Sequence, residues 1–173
     1  MRLFIAINFD NNTKEKLLEI QRKLKSATLS GNFSSPQNLH LTILYLGETN
    51  NPTPIIEAIE THFTKPFDLT FKDSGVFKNN IYWVGITPNL TLQELNLKLC
   101  DDFRAADIFF DDSHGFNPHI TLARDVVLAE ETKPQLDFNE FSMHVNRVSL
   151  MNSEFLNRKL VYTEIFGKNC DIR

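Results

Sequence analysis

Two short stretches of this sequence place a histidine and a threonine two positions apart within an otherwise apolar run. The first is NLHLTI, with His40 and Thr42, and the second is NPHITL, with His119 and Thr121. In a β-strand, side chains two positions apart point to the same face, so each stretch presents an imidazole beside a hydroxyl. The intervening aliphatic residues point to the other face, where they can anchor the strand in a core.

Two imidazoles that face one cleft are suited to phosphodiester hydrolysis. Because the ordinary pKa of histidine is about 6.5, one ring can be neutral and the other protonated near physiological pH. The neutral ring can take a proton from water and the protonated ring can give one to the leaving oxygen, and such assistance is typically worth about 10²–10⁴-fold per group. The threonine hydroxyls can donate hydrogen bonds to the non-bridging phosphate oxygens.

Two other interpretations of these residues stay open at this point. A single His-x-Thr on a strand is usually a structural pair, although its repetition after an Asn-containing turn favours function. A two-histidine metal site is the second alternative, but zinc usually takes three or four protein ligands. No Asp, Glu or Cys stands beside either motif in a ligating pattern. We therefore predict neither a metal nor a cofactor.

Composition limits the class of protein and its partners. The chain has 173 residues, 42% of them hydrophobic and 23% charged, which is typical of one globular domain of residues 1–173. The net charge of −4 argues against wrapping a long nucleic acid, but it permits a short or single nucleotide in a locally basic cleft. Cys100 and Cys170 lack metal or redox spacing, and no segment is long enough to span a membrane. We expect a soluble, cytoplasmic monomer.

The elements that must position the motifs follow from hydrophobic periodicity and from turn residues. Helices are predicted at Thr13–Leu29, Ile55–Phe63 and Thr91–Ala106, with Thr91 as a helix N-cap. The segment SGNFSSPQN is predicted to be a loop, and Leu128–Leu136 is left unassigned. Strands are predicted at Arg2–Phe9, Leu39–Leu46, Phe67–Phe77, Asn80–Thr87 and His119–Arg124. Two β-rich segments, Phe141–Leu150 and Lys159–Phe166, are predicted to follow, around a turn near Asn157. This order predicts an α+β fold in which two sheets face each other and the helices lie outside.

Four segments together resemble a known family. MRLFIAI, SPQNLHLTILYLGE, FNPHITLAR and LVYTEI are similar to the 2H phosphoesterases, in the RNA 2′,3′-cyclic phosphodiesterase (2′-5′ RNA ligase-like) branch. The resemblance implies an α+β fold of two pseudo-symmetric lobes, whose antiparallel-rich sheets face a central cleft that both motifs line. It also implies metal-independent opening of a 2′,3′-cyclic phosphate. It implies that His40 and His119 are the catalytic pair, and that Thr42 and Thr121 bind the phosphate.

The resemblance also implies that Arg124 of HITLAR binds the phosphate. Strict alternation from His119 instead places Arg124 on the opposite face, where it would be a solvent-exposed residue at the strand end. To reach the phosphate, Arg124 requires that the strand end, bulge or curl at about Ala123.

The chain departs from the family pattern around the first motif. Members of the family often carry a tryptophan and basic residues where this chain has GNFSSPQN, and a lysine where Leu44 stands. These differences do not touch the catalytic residues, but they argue against a preference for long RNA.

The predicted function is hydrolysis of a 2′,3′-cyclic phosphate at an RNA end or on a small nucleotide. The alternatives are hydrolysis of another cyclic or 2′-5′-linked nucleotide, such as ADP-ribose cyclic phosphate or oligoadenylate, and a non-catalytic nucleotide- or RNA-binding module. Aromatic residues could stack on a base, although on strands they more often belong to the core. These residues are Phe4, Phe9, Tyr45, Tyr82 and Trp83.

Overall fold

Three helices and nine strands make up the computed structural model over the residues that it describes, 1–130, 134 and 136–170. The strands are β1 (Arg2–Asn8), β2 (Thr28–Phe33), β3 (His40–Glu48), β4 (Phe67–Phe77), β5 (Ile81–Ile86), β6 (His119–Leu128), β7 (Phe141–Val145), β8 (Arg147–Leu156) and β9 (Lys159–Asn169). The helices are α1 (Asn11–Ser26), α2 (Thr53–His62) and α3 (Leu90–Ala105).

The strands form two sheets, and every pair of neighbouring strands is antiparallel. The first sheet has four strands in the order β3-β1-β8-β9, and the second has five in the order β2-β6-β5-β4-β7. Helix α1 packs on the five-stranded sheet, whereas α3 contacts β3 and α2 contacts β9 of the four-stranded sheet. The predicted α+β architecture with antiparallel sheets and outer helices is confirmed.

Strand β1 is apolar on both faces because it lies between two hydrophobic clusters. Leu3, Ile5 and Ile7 belong to the main core, together with the inward faces of the three helices. Phe4 and Ala6 point to the other side, into a smaller cluster that includes Met151 and against which Tyr45 and Tyr162 pack. We call this side of the sheet, which also carries the His40 ring, its cleft face. Residues 3–7 of β1, LFIAI, therefore form a continuous apolar run, as expected for a strand covered on both faces.

Helices α1 and α3 begin at side-chain caps, one of which differs from the prediction. The Asp10 carboxylate accepts a hydrogen bond from the Thr13 N–H at 2.7 Å, so α1 starts earlier than predicted. The predicted N-cap Thr91 is wrong, because the side chain of Asn89 accepts from the Leu92 N–H at 2.9 Å. Asn and Thr side chains can both cap a helix N-terminus, and the sequence alone did not decide between Asn89 and Thr91.

One loop prediction was wrong and one β-rich segment divides between the two sheets, both for tertiary reasons. The predicted loop SGNFSSPQN includes most of β2, a polar edge strand that pairs with β6 and has no apolar periodicity of its own. The predicted β-rich segment Phe141–Leu150 contains β7 of the five-stranded sheet and the start of β8 of the four-stranded sheet. The chain therefore changes sheets at Asn146.

The hairpin of β4 and β5 is confirmed, with a turn at Lys78–Asn80. Strand β6 continues to Leu128, beyond the predicted end at Arg124. In the unassigned stretch Leu128–Leu136, residues 131–133 and 135 lie outside the described residues. No helix within the described ranges is long and apolar enough to cross a membrane.

Candidate functional site

The two motif strands approach each other between the sheets. Strand β3 forms an edge of the four-stranded sheet, β6 lies next to the edge of the five-stranded sheet, and the two strands are in contact. His40 pairs with Asn8 and Thr42 with Ala6 of β1, so both side chains face the smaller cluster of the cleft. His119 and Thr121 pair with Gly85 and Trp83 of β5. Each motif thus presents its imidazole and hydroxyl on one face, as the sequence predicts.

His40 is held by hydrogen bonds at both ring nitrogens. Its Nδ1 lies 2.7 Å from the main-chain carbonyl oxygen of Asn38, and its Nε2 lies 2.9 Å from the Thr42 hydroxyl oxygen. A carbonyl can only accept, so the proton is on Nδ1. In the neutral ring Nε2 consequently accepts from the Thr42 hydroxyl, and in the charged ring it donates to it.

His119 repeats half of this arrangement. Its Nδ1 lies 2.8 Å from the carbonyl oxygen of Asn117, which fixes the same tautomer and leaves the lone pair of the neutral ring on Nε2. Asn38 and Asn117 both stand two positions before the histidine, so the sequence carried a signal for these carbonyls. The Asn side chain has a separate contact at the first motif, where Asn38 Nδ2 donates to the Leu160 oxygen at 2.9 Å.

Aromatic rings enclose both histidines. The ring of His40 lies 5.0 Å from that of Phe4 and 5.1 Å from that of Tyr162, which meets it edge to face. The ring of His119 lies 4.9 Å from that of Phe77, also edge to face. Tyr162 and Phe77 were not identified as neighbours of the histidines by the sequence, because β9 and β4 reach the cleft only in the folded chain.

This enclosure changes the protonation of both rings. Burial lowers the pKa of His40 below its ordinary value, and the charges of His119 and Arg124 lower it further, whereas the bond to the Asn38 carbonyl opposes the shift. Burial also lowers the pKa of His119, and Arg124 adds to that effect. Burial raises the pKa of the Tyr162 phenol. The two imidazoles and Arg124 therefore share one electrostatic environment.

A β-bulge returns Arg124 to the cleft face. Strand β5 pairs Trp83 with Thr121 and Tyr82 with Ala123, so Leu122 is an extra residue between the two pairs. Leu122 and Ala123 are both fully buried, and Arg124 emerges exposed on the side of His119 and Thr121. The bulge at Leu122 is adjacent to Ala123, where the strand had to end, bulge or curl for Arg124 to reach the cleft.

Among the stacking candidates, Phe4 and Tyr45 lie at the smaller cluster beside His40, whereas Phe9 and Tyr82 belong to the main core. Phe4, Phe9 and Tyr82 are buried, whereas Tyr45 and Trp83 are half-buried. His62 and His144 bond to Asp102 and Asp68 respectively, each at 2.7 Å, and His114 is exposed in a loop. Within the described ranges, no group of three or more His, Cys, Asp or Glu side chains is arranged to hold a metal ion.

Comparison with known proteins connects the whole chain with one family. Residues 10–154 match the model of the 2′-5′ RNA ligase superfamily. Two relatives named RNA 2′,3′-cyclic phosphodiesterase are similar over nearly their full length. The one from Methanothermobacter thermautotrophicus is 28% identical, covering 95% of this chain and 96% of the relative, and the one from Escherichia coli K12 is 29% identical, covering 95% and 93%.

Solved structures agree with this result. The protein TT0787 of Thermus thermophilus superimposes with a TM-score of 0.82 at 25% identity, covering 98% of this chain and 97% of that one. Escherichia coli LigT in complex with 3′-AMP superimposes with a TM-score of 0.77 at 27% identity, covering 98% and 96%. LigT has also been solved with phosphate, with a TM-score of 0.75 at 28% identity and the same coverage.

Proposed function

Because this chain belongs to the 2′-5′ RNA ligase superfamily, we propose that it hydrolyses 2′,3′-cyclic phosphate ends of RNA or of small nucleotides by two-histidine acid–base catalysis without a metal. One observation carries the proposal. Both imidazoles bind a main-chain carbonyl through Nδ1, so both use Nε2 for proton transfer. A general acid and a general base of this kind are what the in-line opening of a cyclic phosphate requires.

The two rings divide the proton transfers. The neutral Nε2 of one histidine takes a proton from water as the water oxygen bonds to phosphorus. The Nε2–H of the other histidine gives a proton to O2′ or O3′ as the bond from that oxygen to phosphorus breaks. The product is a phosphate monoester and a free hydroxyl, and the protons balance because one ring gains what the other loses.

The cleft also contains groups suited to the phosphate. Arg124 supplies a fixed positive charge near both rings, and this charge lowers the pKa values of His40 and His119. Thr121 presents a hydroxyl on the same face as His119, and Thr42 presents one beside His40. Charge-assisted hydrogen bonds from such groups stabilise the negative charge that develops on the phosphate oxygens.

Relatives support the substrate class. Those from Methanothermobacter and Escherichia coli are named RNA 2′,3′-cyclic phosphodiesterase, and LigT binds 3′-AMP, a nucleotide that carries a phosphate on the ribose. The net charge of −4 favours short substrates that are bound at one end. Action as a monomer in the cytoplasm belongs to the same proposal.

The test is a panel of substrates with EDTA present throughout. It contains nucleoside 2′,3′-cyclic phosphates, short RNA with a 2′,3′-cyclic phosphate end, ADP-ribose cyclic phosphate and 2′-5′-linked oligoadenylate. We expect turnover of the first two, measured by chromatography of the monoester products. Turnover of only the last two would assign the other nucleotide class, and no turnover with measurable binding would indicate a binding module. Activity that EDTA removes and zinc or manganese restores would contradict the metal-independent mechanism.

A further inference from the structure

Both motif strands carry a β-bulge at the same position, directly after the motif threonine. In β3, Thr42 pairs with Ala6 and Leu44 with Ile5 of β1, which leaves Ile43 as the extra residue. In β6, Leu122 is the extra residue opposite β5. Because each bulge reverses the alternation, two consecutive buried residues follow each threonine and the third returns to the cleft. That third residue is Tyr45 in one lobe and Arg124 in the other.

A buried amide side chain from a helix binds the bulged residue in each lobe. Asn96 Nδ2 of α3 donates to the Ile43 carbonyl oxygen at 2.9 Å. Gln21 Nε2 of α1 donates to the Leu122 carbonyl oxygen at 2.9 Å, and also to the Ser34 carbonyl oxygen at 2.9 Å. Asn96 is 5% exposed and Gln21 9% exposed, and the buried faces of the two helices are otherwise apolar except for Thr13 of α1.

Apolar residues of similar size would fill these two helix positions without the free-energy cost of removing an amide from water. A buried amide loses its hydrogen bonds with water, and it must recover them from the protein. Both amides recover them at the carbonyl of a bulge, although α1 and α3 lie in different parts of the sequence and use different residue types. The bulged strand gains a hydrogen bond that it would lack in regular pairing, which favours the bulged register over the unbulged one.

We propose that Gln21 and Asn96 are positioning residues that fix the two bulges and so decide which third side chain faces the cleft. Gln21 keeps Arg124 on the face of His119, and Asn96 keeps Tyr45 on the face of His40. In regular pairing the strand after Leu122 would slip by one residue and direct Arg124 away from the phosphate. The proposal deepens the proposed function, because it assigns the position of the phosphate-binding arginine to a residue on the outer helix.

The test is a set of variants that remove the amide but keep its volume, Gln21→Met and Asn96→Leu. We expect Gln21→Met to lower kcat/KM on a 2′,3′-cyclic nucleotide about 10- to 10²-fold, the range for a displaced contact remote from the chemistry. Gln21→Asn, which keeps a shorter amide, should lose less activity and serves as the second variant if Gln21→Met does not fold. Leu17→Ala, at a fully buried position on the same helix, controls for loss of stability.

A double-mutant cycle separates positioning from general damage. Once Arg124→Ala has removed the arginine, adding Gln21→Met should change kcat/KM less than about twofold, whereas Asn96→Leu should keep its full effect. Full additivity of Gln21→Met with Arg124→Ala would overturn the proposal. The proposal would also be overturned if Gln21→Met lowered kcat/KM no more than Leu17→Ala does at an equal folded fraction.

A second readout does not depend on activity. Nuclear Overhauser contacts between β5 and β6 report the pairs Tyr82–Ala123 and Trp83–Thr121 directly. We expect these contacts to weaken or shift by one residue in Gln21→Met and to persist in Asn96→Leu. Their persistence in Gln21→Met would overturn the proposal even if the wild-type protein hydrolyses nothing in the panel. Failure of the proposed function alone would leave the shift in register intact.

Discussion

The surroundings of His40 and His119 differ although their motifs are nearly the same. His40 packs against two rings, Phe4 and Tyr162, and its Nε2 already bonds to the Thr42 hydroxyl. His119 packs against one ring, Phe77, and within the described part of the chain no protein group bonds to the Thr121 hydroxyl. Equal strand signatures therefore produce unequal sites, because neighbouring strands supply most of the contacts of each ring.

The same asymmetry continues at the third cleft position of each motif. The five-stranded lobe presents the cation Arg124 there, whereas the four-stranded lobe presents Tyr45, whose hydroxyl accepts a hydrogen bond from Arg2 Nε at 2.5 Å. The positive charge that acts on both imidazoles thus comes from one lobe. The two motif strands thus share the Nδ1–carbonyl contact of each histidine and differ in what stands beside it.

The largest expected effect comes from removing either imidazole. His40→Ala and His119→Ala should each lower kcat on a 2′,3′-cyclic nucleotide by about 10²–10⁴-fold, because each removes one proton-transfer group. His62→Ala is the matched control, since His62 bonds to Asp102 outside the cleft. Circular dichroism establishes that the variants are folded. Wild-type turnover in either catalytic variant would show that the two lobes do not act as partners.

Removing the cation of the five-stranded lobe should rank second. Arg124→Ala is expected to reduce kcat/KM more than either threonine variant, because it removes a full charge and the possibility of a bidentate contact. Arg124→Lys should recover part of the activity. Arg104→Ala is the control, because it removes surface ion pairs with Asp101 and Asp112 and a cation–π contact with Phe110. Kinetics of Arg124→Ala equal to those of the wild type would mean that the bulge does not direct this arginine to the phosphate.

The two threonines should differ from each other. Each Thr→Ala change is expected to cost about 1–3 kcal/mol of transition-state stabilisation, the range for hydrogen bonds to charged groups. Thr42→Ala should also move the pH profile of kcat/KM, because the Thr42 hydroxyl bonds to His40 Nε2, whereas Thr121→Ala should leave its shape unchanged. Identical pH profiles for the two variants would remove this distinction between the lobes.

The smallest expected effect is on stability at acidic pH. Burial lowers the pKa of both histidines, so the unfolded chain binds more protons than the folded chain once the pH falls below about 6.5. Their neutral forms therefore favour folding at about pH 8, and this contribution is lost as the pH falls from the unfolded pKa through the folded pKa values. Urea unfolding at about pH 8 and about pH 5 should show a smaller loss of stability in His40→Gln than in the wild type. Equal losses of stability in His40→Gln and in the wild type would contradict a lowered pKa of His40.

Prediction from sequence succeeded where local pattern and core packing agree. The motif strands, the β4–β5 hairpin and the three helices have strong periodicity, because each buries an apolar face that the sequence displays directly. Strand β2 was missed because its polar residues follow no such pattern, and its structure depends on pairing with β6. The change of sheet at Asn146 was missed for a similar reason, since nothing local distinguishes a strand from two strands that meet end to end.

By itself, the sequence determined which side chains each motif brings together and that they share one strand face. His-x-Thr on a strand places imidazole and hydroxyl together through period-two geometry, and an Asn two positions earlier marks each histidine turn. Only the tertiary structure decided the rest. The aromatic enclosure of His40 and His119 comes from Phe4 of β1, Phe77 of β4 and Tyr162 of β9, and Arg124 reaches the cleft only through a bulge opposite β5. Contacts between strands far apart in the chain set these features, because burial and register depend on what packs against a segment.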